Sequence, residues 1–294
     1  MGSGTWTTSD FACYTTSTKG MSVDSFTSAC NLTVQSIYKA HSLNPILNPL
    51  NIIRKCCDSD EHPNTLPVIL ALDVTGSMGS ASIKVAQKLN EIMTNLYSDS
   101  DMPDVEFCVM GIGDLAFDDV PIQMSQFESD IRIAEQLDAI YFEGGGGGNL
   151  YESYTAAWYM GLNHCELDCW SRDKKGIIIT LGDELPNPYL PKGTLSRVTG
   201  DTYLQDNVET EELLEKTREK FDVYHISIAG SGSTYSYHNR LGLVDMAWKK
   251  LLGDDNYFVA NLDDLASILT SIIKGHCTTT TATTIPSYNN EVTW

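Results

Sequence analysis

The run Val68-Ile69-Leu70-Ala71-Leu72 constrains this chain more than any other feature. Apolar residues in unbroken succession, without polar alternation, mark a strand buried on both faces, and such strands belong to sheets covered by helices. The run stops at Asp73, and Val74-Thr75-Gly76-Ser77-Met78 leads into a helical pattern. A strand ending there sets one carboxylate and two hydroxyls around a single point at its C-terminal tip. Asp73, Thr75 and Ser77 offer hard oxygen donors of the kind Mg²⁺ accepts, with one formal charge among them. An ion held this way keeps open positions, which makes a site for binding something through a metal.

The pattern downstream alternates. Helical spacing covers Ser82–Tyr97, a second strand Val105–Gly111, a short edge strand Val120–Met124 and a helix Asp130–Ile140. After the glycines at 144–148 come a helix over Leu150–Leu162 and a strand Gly176–Leu181 that runs into Gly182-Asp183-Glu184. A charged amphipathic helix spans Glu209–Phe221, followed by a strand Val223–Ala229, a helix Leu241–Leu252, a strand Tyr257–Ala260 and a helix Leu262–Ile273. Asp263 and Asp264 fall in the first turn of that last helix, where the dipole favours acids. Strand alternating with helix predicts an α/β fold, Rossmann-like and doubly wound, with a mainly parallel sheet, one short antiparallel edge strand and helices on both faces. Ligands of such sheets bind at the carboxyl ends of the strands, where Asp73 and Asp183 both fall.

Residues 1–65 read differently, rich in Ser, Thr and Asn with turn signals at Asn44-Pro45 and Asn48-Pro49. They are too poor in apolar residues to fold alone and are expected to pack on a main domain of 66–276. The Thr-rich stretch 277–294 reads as a loose tail. The 294 residues carry a formal net charge of −20. That disfavours a nucleic-acid partner and an anionic membrane surface, since both need basic faces. No apolar run of membrane-spanning length occurs, and the polar start lacks an export pattern. The chain reads as cytoplasmic, with its eight cysteines reduced.

Other clusters have plainer readings. His164, Cys165 and Cys169 are too irregularly spaced for zinc, and so are Cys56, Cys57 and His62. Asp114 reads as a solvated loop acid, and Asp58, Asp60 and Glu61 as solvating groups or partners of Arg54 and Lys55. His225 sits in a strand pattern and reads as a satisfied core or surface histidine. The glycine run lacks the Gly-Lys-Ser/Thr ending of a phosphate-cradling loop. Asp73, Thr75 and Ser77 have a rival reading as a turn that caps the next helix. A second acid at another strand end argues against it.

Asp73-Val74-Thr75-Gly76-Ser77 resembles the Asp-x-Ser-x-Ser signature of the von Willebrand factor A family, with Thr at the first hydroxyl position. Asp183 resembles the second acid of that metal-ion-dependent adhesion site. The likeness covers about 66–276. It implies Mg²⁺ or Mn²⁺ touched by Thr75 and Ser77, with Asp73 and Asp183 acting directly or through water, and a partner's carboxylate completing the shell. The family supplies a further Thr from an intervening loop. Here Gly148 stands in its place, and Asn149, Glu152 and Ser153 are the candidate substitutes. The chain is similar to intracellular, stand-alone members, some of which accompany MoxR-type AAA+ ATPases, so the resemblance implies such an ATPase as one class of protein partner. The expected function is a non-enzymatic, metal-dependent adaptor. The alternatives are a metal-dependent hydrolase at the same rim, or a structural module with an inactive site that binds through residues 1–65.

Overall fold

Continuous apolar strands and amphipathic helices assemble as layers because each must bury its apolar side. The structure is a computed structural model that describes residues 4–98, 104–143, 149–228 and 234–278, with the backbone alone over 234–241 and 277–278. The glycines at 144–148 and residues 279–294 lie outside the described residues.

Three short helices, α1 (Thr8–Tyr14), α2 (Val23–Ser28) and α3 (Val34–Ile37), precede strand β1 (Arg54–Cys56). The buried strand β2 (Thr65–Asp73) is followed by α4 (Gly79–Tyr97), β3 (Asp104–Ile112) and β4 (Ile122–Met124). Next come α5 (Arg132–Asp138), β5 (Tyr151–Glu152), α6 (Ala156–Asn163), β6 (Cys165–Leu167) and β7 (Gly176–Gly182). After β8 (Leu185–Pro186), β9 (Tyr189–Leu190), α7 (Lys192–Thr199) and β10 (Val208–Glu209), the chain forms α8 (Thr210–Arg218) and β11 (Phe221–Ile228). It closes with α9 (Thr234–Leu252), β12 (Tyr257–Ala260) and α10 (Leu265–Thr278).

Among the described residues, six strands form the central sheet in the order β12-β11-β7-β2-β3-β4. All neighbours are parallel except β4, which runs antiparallel to β3 at the edge. This is the Rossmann-like α/β sheet expected from the alternation. Alternate residues of β2 face opposite cores. Val68, Leu70 and Leu72 pack with α4, α5 and α10, while Ile69 and Ala71 pack with α6, α8 and α9. The register sets Leu72 of β2 opposite Leu181 of β7, so the two strands end level and Asp73 and Asp183 leave them side by side.

The segment before β2 joins the first core. Trp6, Phe11, Phe26, Ile37, Tyr38 and Leu47 are all buried there. Three of its polar ties run to α4 and others to α5: Trp6 Nε1 donates to Asn90 Oδ1 at 3.1 Å, Gln87 Nε2 to the Phe26 carbonyl at 2.7 Å, and Tyr38 OH to the Ser82 carbonyl at 2.7 Å, while Lys19 pairs with Asp138. Strand β1 pairs in parallel with β6, Arg54 opposite Cys165. No helix among the described residues is long and apolar enough to cross a membrane.

Several boundaries differ from the periodicity. The helix expected over Leu150–Leu162 starts only at Ala156, because Tyr151 and Glu152 pair with Leu185 and Pro186 as strands. The helix expected over Glu209–Phe221 ends at Arg218, and Phe221 opens β11. The helix read over Leu262–Ile273 begins at Leu265, so Asp263 and Asp264 precede its first turn. The helix read from Leu241 starts at Thr234, and α5 is shorter than Asp130–Ile140. The charges near β1 also pair differently from expectation. Buried Arg54 donates from Nη2 to the carbonyls of Ile46 and Met124, both at 2.7 Å, Lys55 pairs with Glu166, and Asp58 pairs with Arg172.

Candidate metal centre

Asp73 closes β2, the following turn carries Thr75 and Ser77, and Asp183 leaves β7 next door. Asp73 is 0% exposed and Asp183 6%. Asp73 Oδ1 accepts from the Thr75 backbone N–H at 2.8 Å and from the Thr75 hydroxyl. The Ser77 hydroxyl donates to Asp183 Oδ1 at 2.9 Å, and Thr75 Oγ1 lies 3.3 Å from Ser77 Oγ. The four side chains picked from the sequence therefore form one hydrogen-bonded chain across 106 residues of separation. The turn reading is part of the same geometry: Thr75 N–H on Asp73 is a local Asx turn, and Asp183 closes on it from another strand.

Two carboxylates this close, out of water, disfavour their own ionisation. Burial first, then the negative charge of Asp183, pushes the Asp73 carboxyl up to about 7, against the opposing hydrogen bonds of Thr75 and Tyr154. A cation beside them would remove that penalty. The donor set is all oxygen, with two hydroxyls able to turn a lone pair outward, and it fits a small hard dication better than zinc. Bound there, the ion would be held by Asp73, Thr75, Ser77 and Asp183. Among the described residues no three or more His, Cys, Asp or Glu side chains stand together to hold a metal, so hydroxyls must complete any set here.

The candidate substitutes for the missing threonine go elsewhere. Asn149 Nδ2 donates to Asp114 Oδ2 at 2.7 Å, and Ser153 Oγ accepts from the Leu115 N–H at 2.9 Å. Glu152 is buried, its Oε2 has no hydrogen-bond partner among the described residues, and burial followed by the charges of Asp73 and Asp114 raises its carboxyl to about 10. Asp114 itself is buried at 4% exposure, not solvated, since its own loop and Asn149 enclose it.

Sequence reasoning missed Tyr154, which an apolar helical pattern disguised as core. Its hydroxyl donates to Asp73 Oδ2 at 2.7 Å and accepts from the Glu184 N–H at 3.2 Å. Burial and the nearby carboxylates raise the phenol well above its ordinary range, so it stays a donor. Below it, His225 Nδ1 pairs with Thr180 Oγ1 at 2.8 Å, and burial lowers the imidazole well below its ordinary value. The zinc candidates are engaged otherwise. His164 meets the Ile52 carbonyl at 2.9 Å and Asp201 at 2.8 Å, Cys165, Cys169 and Cys56 are buried thiols, and His62 Nε2 lies 3.2 Å from the Gly4 carbonyl.

No protein-family model matches the chain, and no curated protein matches it. Among solved structures it is similar to the pilus adhesin SpaC from Lactobacillus rhamnosus GG in its open conformation. That match has a TM-score of 0.50 and 14% identity over 73% of this chain, and it spans 30% of the adhesin's length. The chain is also similar to the vWF domain of the type V pili tip protein Mfa5 from Porphyromonas gingivalis, with a TM-score of 0.47 and 10% identity over 76% of this chain and 98% of that domain. At 14% identity, the likeness to SpaC concerns the fold.

Proposed function

We propose that the chain is a von Willebrand factor A-type binding module, not an enzyme, that holds Mg²⁺ or Mn²⁺ at Asp73, Thr75, Ser77 and Asp183 and engages a carboxylate of a protein partner. The hydrogen bond between Ser77 and Asp183 at 2.9 Å carries this reading, because it joins the motif turn to an acid from a separate strand. A divalent cation there supplies a positive anchor with open positions. The chain's own residues hold two acids together and present two hydroxyls. The fold likeness to a pilus adhesin fits a role in protein interaction. The net charge of −20 does not forbid an acidic partner, since charges farther than about 8 Å are screened at physiological salt. An AAA+ ATPase as partner rests on the sequence resemblance alone, and cytoplasmic placement on the sequence's polar start and lack of a membrane-spanning run.

Calorimetry with Mg²⁺ and Mn²⁺ tests the metal, and partner capture from the native host with and without EDTA tests its use. Binding in the wild type, lost in Asp73→Ala, is expected. No heat up to millimolar metal would overturn the reading. One observation favours a second reading. Both oxygens of Asp73 already accept hydrogen bonds from Thr75 and Tyr154, so the cluster can satisfy itself without an ion. The chain would then be a structural module of this fold that binds through residues 1–65. Phosphoester turnover that Asp183→Asn abolishes would instead make it an enzyme.

A further inference from the structure

Glu184, the residue after Asp183, has both backbone polar groups held by aromatic side chains from separate elements. Its N–H donates to the Tyr154 hydroxyl at 3.2 Å, and its carbonyl accepts from Trp248 Nε1 of α9 at 3.1 Å. The Tyr154 hydroxyl also donates to Asp73 Oδ2 at 2.7 Å, so one atom touches both halves of the acid pair's framework. The rings beneath are packed without slack. His225 lies 3.6 Å from Trp248 with planes 7° apart, and meets Tyr154 edge-on at 5.1 Å. Tyr154, His225 and Trp248 are each 0% exposed. The end of β7 leaves room for this arrangement: a Cβ added at Gly182 would collide with the Tyr154 hydroxyl.

We propose that Tyr154 is a positioning residue of the metal centre, tying Asp73 to the Asp183–Glu184 turn and linking that turn through Trp248 to helix α9. This rests on the metal reading above. The hydroxyl does two jobs that no other group in its ring could do. As a donor it fixes the orientation of Asp73, leaving Oδ1 to the Thr75 hydroxyl. As an acceptor it fixes the peptide that aims Asp183. Were a cation bound, Thr75 and Ser77 would turn lone pairs to it and both acids would lose their hydroxyl donors; Tyr154 and the Glu184 peptide, bonded in series to Trp248, would carry that change to the indole. Groups that hold a ligand's orientation from behind commonly change metal affinity by 10–100-fold when removed.

The test uses the full chain in three forms: wild type, Tyr154→Phe and Trp248→Phe. Each is titrated with Mg²⁺ by calorimetry and by tryptophan fluorescence, after circular dichroism has shown that it is folded. The wild type is expected to bind Mg²⁺ with a fluorescence change. Tyr154→Phe should bind about tenfold or more weakly, and lose that change even at saturating Mg²⁺. Trp248→Phe should remove the change while still binding the metal. A stability defect alone would lower the melting temperature and leave the folded protein's affinity and response alone. Wild-type affinity and response in Tyr154→Phe would overturn the proposal with the metal centre intact. Absence of Mg²⁺ binding in the wild type would overturn the metal reading, and the proposal with it. Should Tyr154→Phe not fold, a Mg²⁺-induced change that persists in Trp248→Phe would overturn the link to α9, and its loss there would support it.

Discussion

Two pairs of aspartates stand on the same rim of the sheet, and they are held in opposite ways. Asp73 and Asp183 are held largely by hydroxyls, those of Thr75, Ser77 and Tyr154. Asp114 and Asp118, just past β3, are held mainly by N–H groups, with the Ser153 hydroxyl a longer contact to Asp114 Oδ1 at 3.5 Å. Asp114 takes the Ala116 N–H at 2.8 Å and Asn149 Nδ2 at 2.7 Å, and Asp118 Oδ2 takes the Asp114 N–H at 2.7 Å. A hydroxyl can turn and offer a lone pair to a cation, while an N–H can only donate. The first pair is therefore adaptable and the second is a finished loop lock. Counting acids near a strand end does not distinguish the two pairs; the chemistry of their donors does.

The sharpest way to break that comparison is to remove one acid from each pair. Asp73→Ala is expected to abolish Mg²⁺ binding by calorimetry, while Asp114→Ala keeps it within about threefold and instead loses roughly 1–3 kcal/mol of stability in urea, as buried donors lose their acceptor. Equal losses of Mg²⁺ affinity in the two variants would erase the distinction. Gly182→Ala comes next. The added methyl presses on the Tyr154 hydroxyl, and an overpacked site of this kind costs about 1–3 kcal/mol, read as a lower urea midpoint at unchanged slope.

A smaller effect separates the buried floor of the first pair from the second. His225 is neutral because burial depresses its pKa, so the folded state refuses a proton that the unfolded chain accepts. That contribution is complete above the unfolded value near 6.5 and is lost as pH falls below it, with a slope of up to about 1.4 kcal/mol per pH unit. His225→Phe keeps a ring against Trp248 and should flatten this limb between pH 6.5 and 5, when unfolding free energies are measured across that range. An unchanged limb would place the proton elsewhere. Smallest of all, Asn149→Ala removes one side-chain donor from Asp114, so a loss of about 0.5–1.5 kcal/mol is expected, with Mg²⁺ affinity unmoved.

What could be read from the chain alone followed the length scale of each interaction. The apolar run before Asp73 reports two-sided burial locally, so β2 and the turn carrying Thr75 and Ser77 were legible. Asp183 was singled out because strand ends are where such sheets bind. Tyr154 was hidden because an aromatic among Ala156, Ala157 and Trp158 looks like packing, and its hydroxyl's partners lie 81 and 30 residues away. Asp114 looked solvated because the groups that bury it, Asn149 and Ser153, come from beyond the glycine run. Arg54 invited pairing with nearby acids, yet its donors reach carbonyls of Ile46 and Met124. Helix starts slipped where two-residue strands such as β5 and β8 form only by meeting each other.

The parallel pairing of β1 with β6 has a consequence for synthesis. Arg54 leaves the ribosome about a hundred residues ahead of Cys165, its partner, and at roughly 5–20 residues per second that is a wait on the order of ten seconds. Through that interval the aromatic side chains of the leading segment can join α4 in the first core, but the β1–β6 ribbon, whose Cys56, Cys165 and Leu167 belong to the second core, stays half-made.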